Sequence, residues 1–182
     1  MTDRAGGDHP RARSRVADLL GPAVRAAIVV PGAFALATAT SNVETQLFAA
    51  FGAFAMVLFA SFPGSRRRQL RSLAVLVALG VVFITVGTLC SQYPAAAVAS
   101  MAVVGFGVLF AGILGPQASA GTVAALLAFV LPVAVVAPPS DIPARLAGWL
   151  LAAALVLPAT VLLWPRTSGG DLRRRLAGAI RA

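Results

Sequence analysis

Long apolar runs, broken by short clusters of arginine, glycine and proline, set the pattern of this chain. From Ser72 to Ser140 there are 69 consecutive residues without a charged side chain. At about 20 residues per membrane crossing, that length holds three helices and their turns. Shorter uncharged stretches cover Ala26–Val43 (18 residues), Thr45–Ser65 (21) and Leu146–Pro165 (20). Gln92-Tyr93-Pro94 and Gly115-Pro116 divide the long run. Six spans are predicted: Val24–Thr40, Gln46–Phe62, Ser72–Cys90, Ala95–Leu114, Thr122–Val136 and Leu146–Trp164. The runs lack the period-2 alternation of a membrane barrel, and backbone groups in lipid must be satisfied internally, so they read as helices. The fifth is short and carries Pro132; a re-entrant segment is the alternative there.

The fold class expected is therefore all-α: a polytopic bundle of six transmembrane helices over residues 23–165. A basic tail, 1–22, precedes it and a basic amphipathic tail, 166–182, follows. More than 20 residues, including Asp3, Asp8 and Asp18, come before the first span, so that span reads as uncleaved rather than as a signal peptide.

Composition agrees. The chain is 59% hydrophobic and 12% charged, against roughly 25% charged in ordinary soluble proteins. All 15 basic residues are arginine, with six carboxylates, one histidine and one cysteine. Those counts exclude a disulfide framework, a metal cluster, a catalytic lysine and a phosphate-binding P-loop. No catalytic set, cofactor or metal site is expected.

Net charge, +9, could suggest nucleic acid, but the arginines abut the spans. Arg4, Arg11, Arg13, Arg15 and Arg25 precede or open the first. Arg66, Arg67, Arg68 and Arg71 fill the second loop, and Arg166, Arg173, Arg174, Arg175 and Arg181 follow the last. Six crossings place all these on one face, 14 of the 15 arginines, with Arg145 alone opposite. The positive-inside rule makes the crowded face cytoplasmic, with both termini inside. The partner implied is the bilayer, not nucleic acid. Trp149 and Trp164 bracket the sixth span; they read as an interfacial pair, or Trp149 packs between helices.

Polar groups within the spans are few. Thr38, Thr40, Thr85, Thr88 and Thr160 are expected to bond carbonyls one turn back. No carboxylate lies at membrane depth, which argues against a proton relay. Candidate contacts for a small organic anion are Arg25 at the inner mouth, Gln117 and Ser119 in the uncharged inner loop Gly115–Gly121, and Asp141 with Arg145 on the outer side. Asp141 and Arg145 also read more simply as a helix-start pair four residues apart. Pro31-Gly32, Pro132 and Pro158 are hinge candidates. Gly107, Ala111 and Gly115, spaced by four, form a smooth stripe for helix packing, within the chain or against another copy or a second membrane half. Ala49 with Ala53, and Ala74 with Ala78, repeat that spacing, but alanine is too common here for the repeat to carry weight. Leu172, Leu176 and Ile180 begin an amphipathic helix, lying on the inner leaflet or opening a longer cytoplasmic domain.

The run Phe51–Arg71, FGAFAMVLFASFPGSRRRQLR, resembles the second span and basic loop of fusaric acid resistance (FUSC-type) proteins, relatives of bacterial aromatic acid exporters. VGFGVLFAGILGP and LLAFVLPVAVVAPPSDIPARLAGW, within Val104–Trp149, are similar to later spans. The resemblance covers about Ala23 to Arg166 and implies an inner-membrane efflux protein for small aromatic or amphipathic organic acids. It also implies a cytoplasmic region and often a second six-span block. Ser61-Phe62-Pro63-Gly64 departs from the acidic-glycine turn expected before the basic loop. The rival reading is a non-transporting membrane scaffold or assembly subunit.

Overall fold

A computed structural model describes residues 24, 26–59 and 66–162. Among these the chain is all-helical, with six helices and no strand. They are α1 (Ala26–Thr38), α2 (Val43–Phe59), α3 (Arg66–Cys90), α4 (Pro94–Ile113), α5 (Pro116–Ala134) and α6 (Ile142–Leu162). A single 3-10 turn, Pro139–Asp141, leads into α6. Three segments are long and apolar enough to cross a membrane: Arg67–Cys90, Pro94–Ile113 and Pro139–Thr160. Ala26–Thr38, Val43–Leu58 and Ala118–Ala134 are apolar but shorter. Arg25, Trp164 and both tails lie outside the described residues.

Helix boundaries follow local chemistry. Ser41 turns the chain between α1 and α2 with φ 52°, a left-handed conformation uncommon for a residue with a Cβ. Asn42 then starts α2: its Oδ1 accepts from the backbone N–H groups of Glu44 (2.9 Å) and Thr45 (3.2 Å), an asparagine cap. Both α4 and α5 open on proline, which has no N–H to leave unpaired and a φ already suited to a helix. Two expectations are corrected: Arg66, Arg67, Arg68 and Arg71 lie in the first turns of α3 and do not fill a loop, and the start of α5 moves. Gly115–Gly121 is not a loop, because Pro116 begins α5 and Ser119 N–H already bonds the Gly115 carbonyl at 3.0 Å. Gln117 and Ser119 therefore sit in the first turn of α5.

The core is built from small side chains, which let the backbones approach. α2 and α6 cross at Gly148: a Cβ there would lie 2.4 Å from the Thr45 carbonyl oxygen and 2.9 Å from the Ala49 nitrogen. Ala49, Ala53 and Ala152 are fully buried at the same contact, and the Thr45 hydroxyl donates to the Ala144 carbonyl at 3.0 Å. α3 meets α5 at Gly87, whose Cβ would lie 2.9 Å from Pro132 Cγ. Val29, Ala33 and Ala37, four apart, carry the buried face of α1. Trp149 is an interior residue and not part of an interfacial belt. It is 2% exposed, and its indole N–H donates to the Val77 carbonyl at 3.1 Å. Gly52 and Gly80 make room for the ring: a Cβ on Gly80 would overlap it, at 2.2 Å.

The small-residue stripes exchange roles relative to expectation. Ala49 and Ala53 form a helix contact, whereas the Cβ positions of Gly107 and Gly115 face open space. In α4 the close approach falls on Gly112, where a Cβ would lie 2.8 Å from the Thr122 hydroxyl oxygen. Among its described residues α4 buries none, and Val98, Val103, Phe106 and Ile113 are all more than 70% exposed.

Candidate functional site

Two features stand at opposite ends of the bundle. One gathers the starts of α2 and α6 and the ends of α3 and α5. The other lies between the start of α3, the end of α4 and the start of α5.

Arg145 forms the first. It sits in the first turn of α6, where the helix dipole disfavours a cation, yet it is fully buried. Its surroundings explain how. Nε donates to Glu44 Oε2 at 2.8 Å; this is the ion pair found among the described residues. Nη1 donates to the Thr88 hydroxyl at 3.0 Å and to the Pro132 carbonyl at 3.3 Å, and Nη2 to the Val135 carbonyl at 2.7 Å. The guanidinium also lies 5.0 Å from the Phe48 ring centroid, within cation–π range.

The carbonyls of Pro132 and Val135 belong to the last turn of α5, where acceptors lack intrahelical partners and the dipole is negative. Arg145 therefore caps α5 while opening α6. Thr88 is set to receive it: its hydroxyl donates to the Ile84 carbonyl at 2.7 Å, leaving its lone pairs for Nη1. Gln92 continues the layer, with its amide bonding the Ala137 carbonyl at 2.7 Å and the Thr88 carbonyl at 3.0 Å. One side chain thus ties α2, α3, α5 and α6 together. The partner of Arg145 is Glu44 and not Asp141, four residues away, because the side chain turns inward to the end of α5.

All five threonines bond carbonyls one turn back, as expected: Thr38 to Ala35 (2.6 Å), Thr40 to Ala37 (2.7 Å), Thr85 to Val81 (2.8 Å), Thr88 to Ile84 and Thr160 to Leu157 (2.7 Å). Of the hinge candidates, Pro31 and Gly32 lie within α1, Pro158 within α6 and Pro132 within α5, fully buried against Gly87.

The second feature is a groove of about 620 Å³ between α3, α4 and α5. Val75, Leu79 and Phe83 of α3, Val104, Val108 and Ala111 of α4, and Ala125 of α5 line it. Polar side chains are confined to Arg71 and Ser72 at the start of α3 and to Thr122. Arg71 is exposed and enters no ion pair among the described residues. Gly107 also lines the groove, so the absence of a side chain there widens a cavity instead of tightening a seam.

Of the five residues proposed as anion contacts, Arg25 lies outside the described residues, and Ser119 is not brought together with Asp141 and Arg145. Asp141 and Arg145 stand at the Glu44 end, and Ser119 is exposed in the first turn of α5. Arg71, which the sequence offered only as one of a topogenic cluster, is the residue that meets a cavity. Glu44 was a missed partner. Its one signal was isolation: it is the only carboxylate between Asp18 and Asp141, as Arg145 is the only arginine between Arg71 and Arg166.

What the fold and these sites define is a helical bundle with three helices suited to crossing a membrane, an interior cation tied to helix ends, and an apolar groove with one basic rim. No protein-family model, curated protein or solved structure matches the chain.

Proposed function

We propose that this chain is a multi-pass inner-membrane protein of the efflux type, resembling the membrane block of FUSC-type exporters. Six helices cross the bilayer and both termini face the cytoplasm. Its substrates are small aromatic or amphipathic organic acids. The observation that carries this reading is the groove between α3, α4 and α5, whose apolar walls end at Arg71. The proposed orientation puts that end at the cytoplasmic surface, where an anion meets the cation first and its apolar body follows. Pockets that hold small molecules have this make-up, mostly apolar with a few placed polar groups.

The test is export from cells challenged with a panel of aromatic acids, with and without the gene. Lower accumulation when the gene is present supports the reading, and equal accumulation with the protein present in the membrane refutes it.

A non-transporting scaffold is the alternative, and the Arg145 network favours it. The interior charge is engaged by four acceptors that hold helices together, leaving it no evident part in moving a solute. Removal of Leu172–Ala182 separates the two readings. A scaffold docking through that tail loses its partner, whereas an exporter retains flux.

A further inference from the structure

The groove has a shape that a small aromatic acid does not fill. Its α3 wall runs from Arg71 to Phe83, twelve residues or about 18 Å of helix. A ring with a carboxylate at Arg71 would cover the mouth and leave Leu79, Phe83 and Val104 bare. Polarity is concentrated toward one end of this wall, and the deeper lining is hydrocarbon. The walls are also open along their length, because Val75 and Leu79 are 53% and 43% exposed while lining the groove.

We propose that the groove binds a single-chain alkyl carboxylate, a long-chain fatty acid, with its acid group at Arg71 and its chain laid along α3 toward Phe83. The charge complement is one cation for one carboxylate, and the long apolar wall matches one extended chain. Access is lateral, from the inner leaflet. This rests on the orientation proposed above and departs from the small acids of that reading only in the length of the apolar body.

The experiment uses the full chain in phosphatidylcholine vesicles, with a 16-carbon fatty acid bearing a mid-chain photoreactive diazirine as the probe. Cross-linked positions are mapped by mass spectrometry. Labelling should concentrate on the groove faces of α3, α4 and α5, and excess palmitate should suppress it. Ala111→Phe fills the groove and should abolish labelling there. Val103→Phe, away from the groove and 72% exposed, should leave it unchanged and controls for folding. Arg71→Gln should weaken labelling about three- to fivefold, the scale of an exposed ion pair.

Labelling spread evenly over the outer face of α4, or unaltered by Ala111→Phe, overturns the proposal. So does suppression by benzoate or phosphatidylglycerol but not by palmitate; the former returns the site to small aromatic acids and the latter assigns it to a membrane lipid. Because the assay reads binding without transport, absent labelling beside intact aromatic-acid export refutes this inference alone. Labelling beside absent export refutes the transport reading alone.

Discussion

Replacing Arg145 tests whether one buried cation holds the end of the bundle together. Arg145→Leu leaves Glu44 without its partner and frees the Thr88 hydroxyl and the Pro132 and Val135 carbonyls. Removing one member of a buried pair typically costs about 3–5 kcal/mol. Glu44 keeps 20% of its side chain accessible, so its carboxylate regains some hydration and the loss falls near the lower figure. Glu44→Leu is the harsher change, since Arg145 is wholly enclosed and its charge cannot reach water. The double variant should therefore be more stable than the sum of the single losses implies, with a coupling of at least about 2 kcal/mol, within the range for directly bonded residues. Arg145→Lys should not rescue, because an ammonium lacks the planar fork that reaches three elements at once. Thermal unfolding in a mild non-ionic detergent reads this directly. At about 2–4 °C per kcal/mol for a chain of this size, the single variants fall by about 6 °C or more. Strictly additive losses, or Glu44→Leu milder than Arg145→Leu, would refute the reasoning.

Gly148→Val should disrupt the α2–α6 crossing, where a Cβ already meets the Thr45 carbonyl oxygen at 2.4 Å; a loss of about 1–3 kcal/mol is expected for overpacking, while Gly107→Ala, into open space, changes thermal stability little. Gly80→Ala should destabilise by driving into the Trp149 indole. Adding Trp149→Phe should recover part of that loss while giving up the bond to Val77, worth about 1 kcal/mol, and melting curves of the three variants check this. The proposed six crossings predict that, in a Cys90→Ser background, cysteines at Tyr93 and Ser140 react with an impermeant maleimide from outside intact cells, and one at Ser119 only after lysis. Labelling of Ser119 from outside would overturn the topology.

Much of the architecture is legible in one dimension because helices in this chain are built on long apolar runs, with their few charged residues in the first turns. Cys90 closes α3 as expected, and α4 ends one residue from the boundary drawn at Leu114. The start of α5 lies six residues before the expected Thr122 because Gly115-Pro116 reads as punctuation around a loop, whereas proline is also a favoured first residue of a helix. The threonines, too, were readable, since a hydroxyl bonding its own preceding turn is a local event.

The sites were not readable in the same way. Arg145 and Glu44 are 101 residues apart in sequence, and no helical period connects residues on different helices. Nor could spacing decide which small residues pack: Ala49 and Gly107 sit in equally regular stripes, but only the first faces another helix. Sequence alone determined the six apolar helices and most of their ends, with α3 and α5 each beginning six residues earlier than expected, because hydropathy and capping act within a few residues. Tertiary structure decided which faces touch, that an isolated arginine reaches an isolated glutamate and the end of α5, and that Arg71 stands at the mouth of a groove. Those outcomes depend on how close two backbones can come, which emerges only when all six helices compete for the same space.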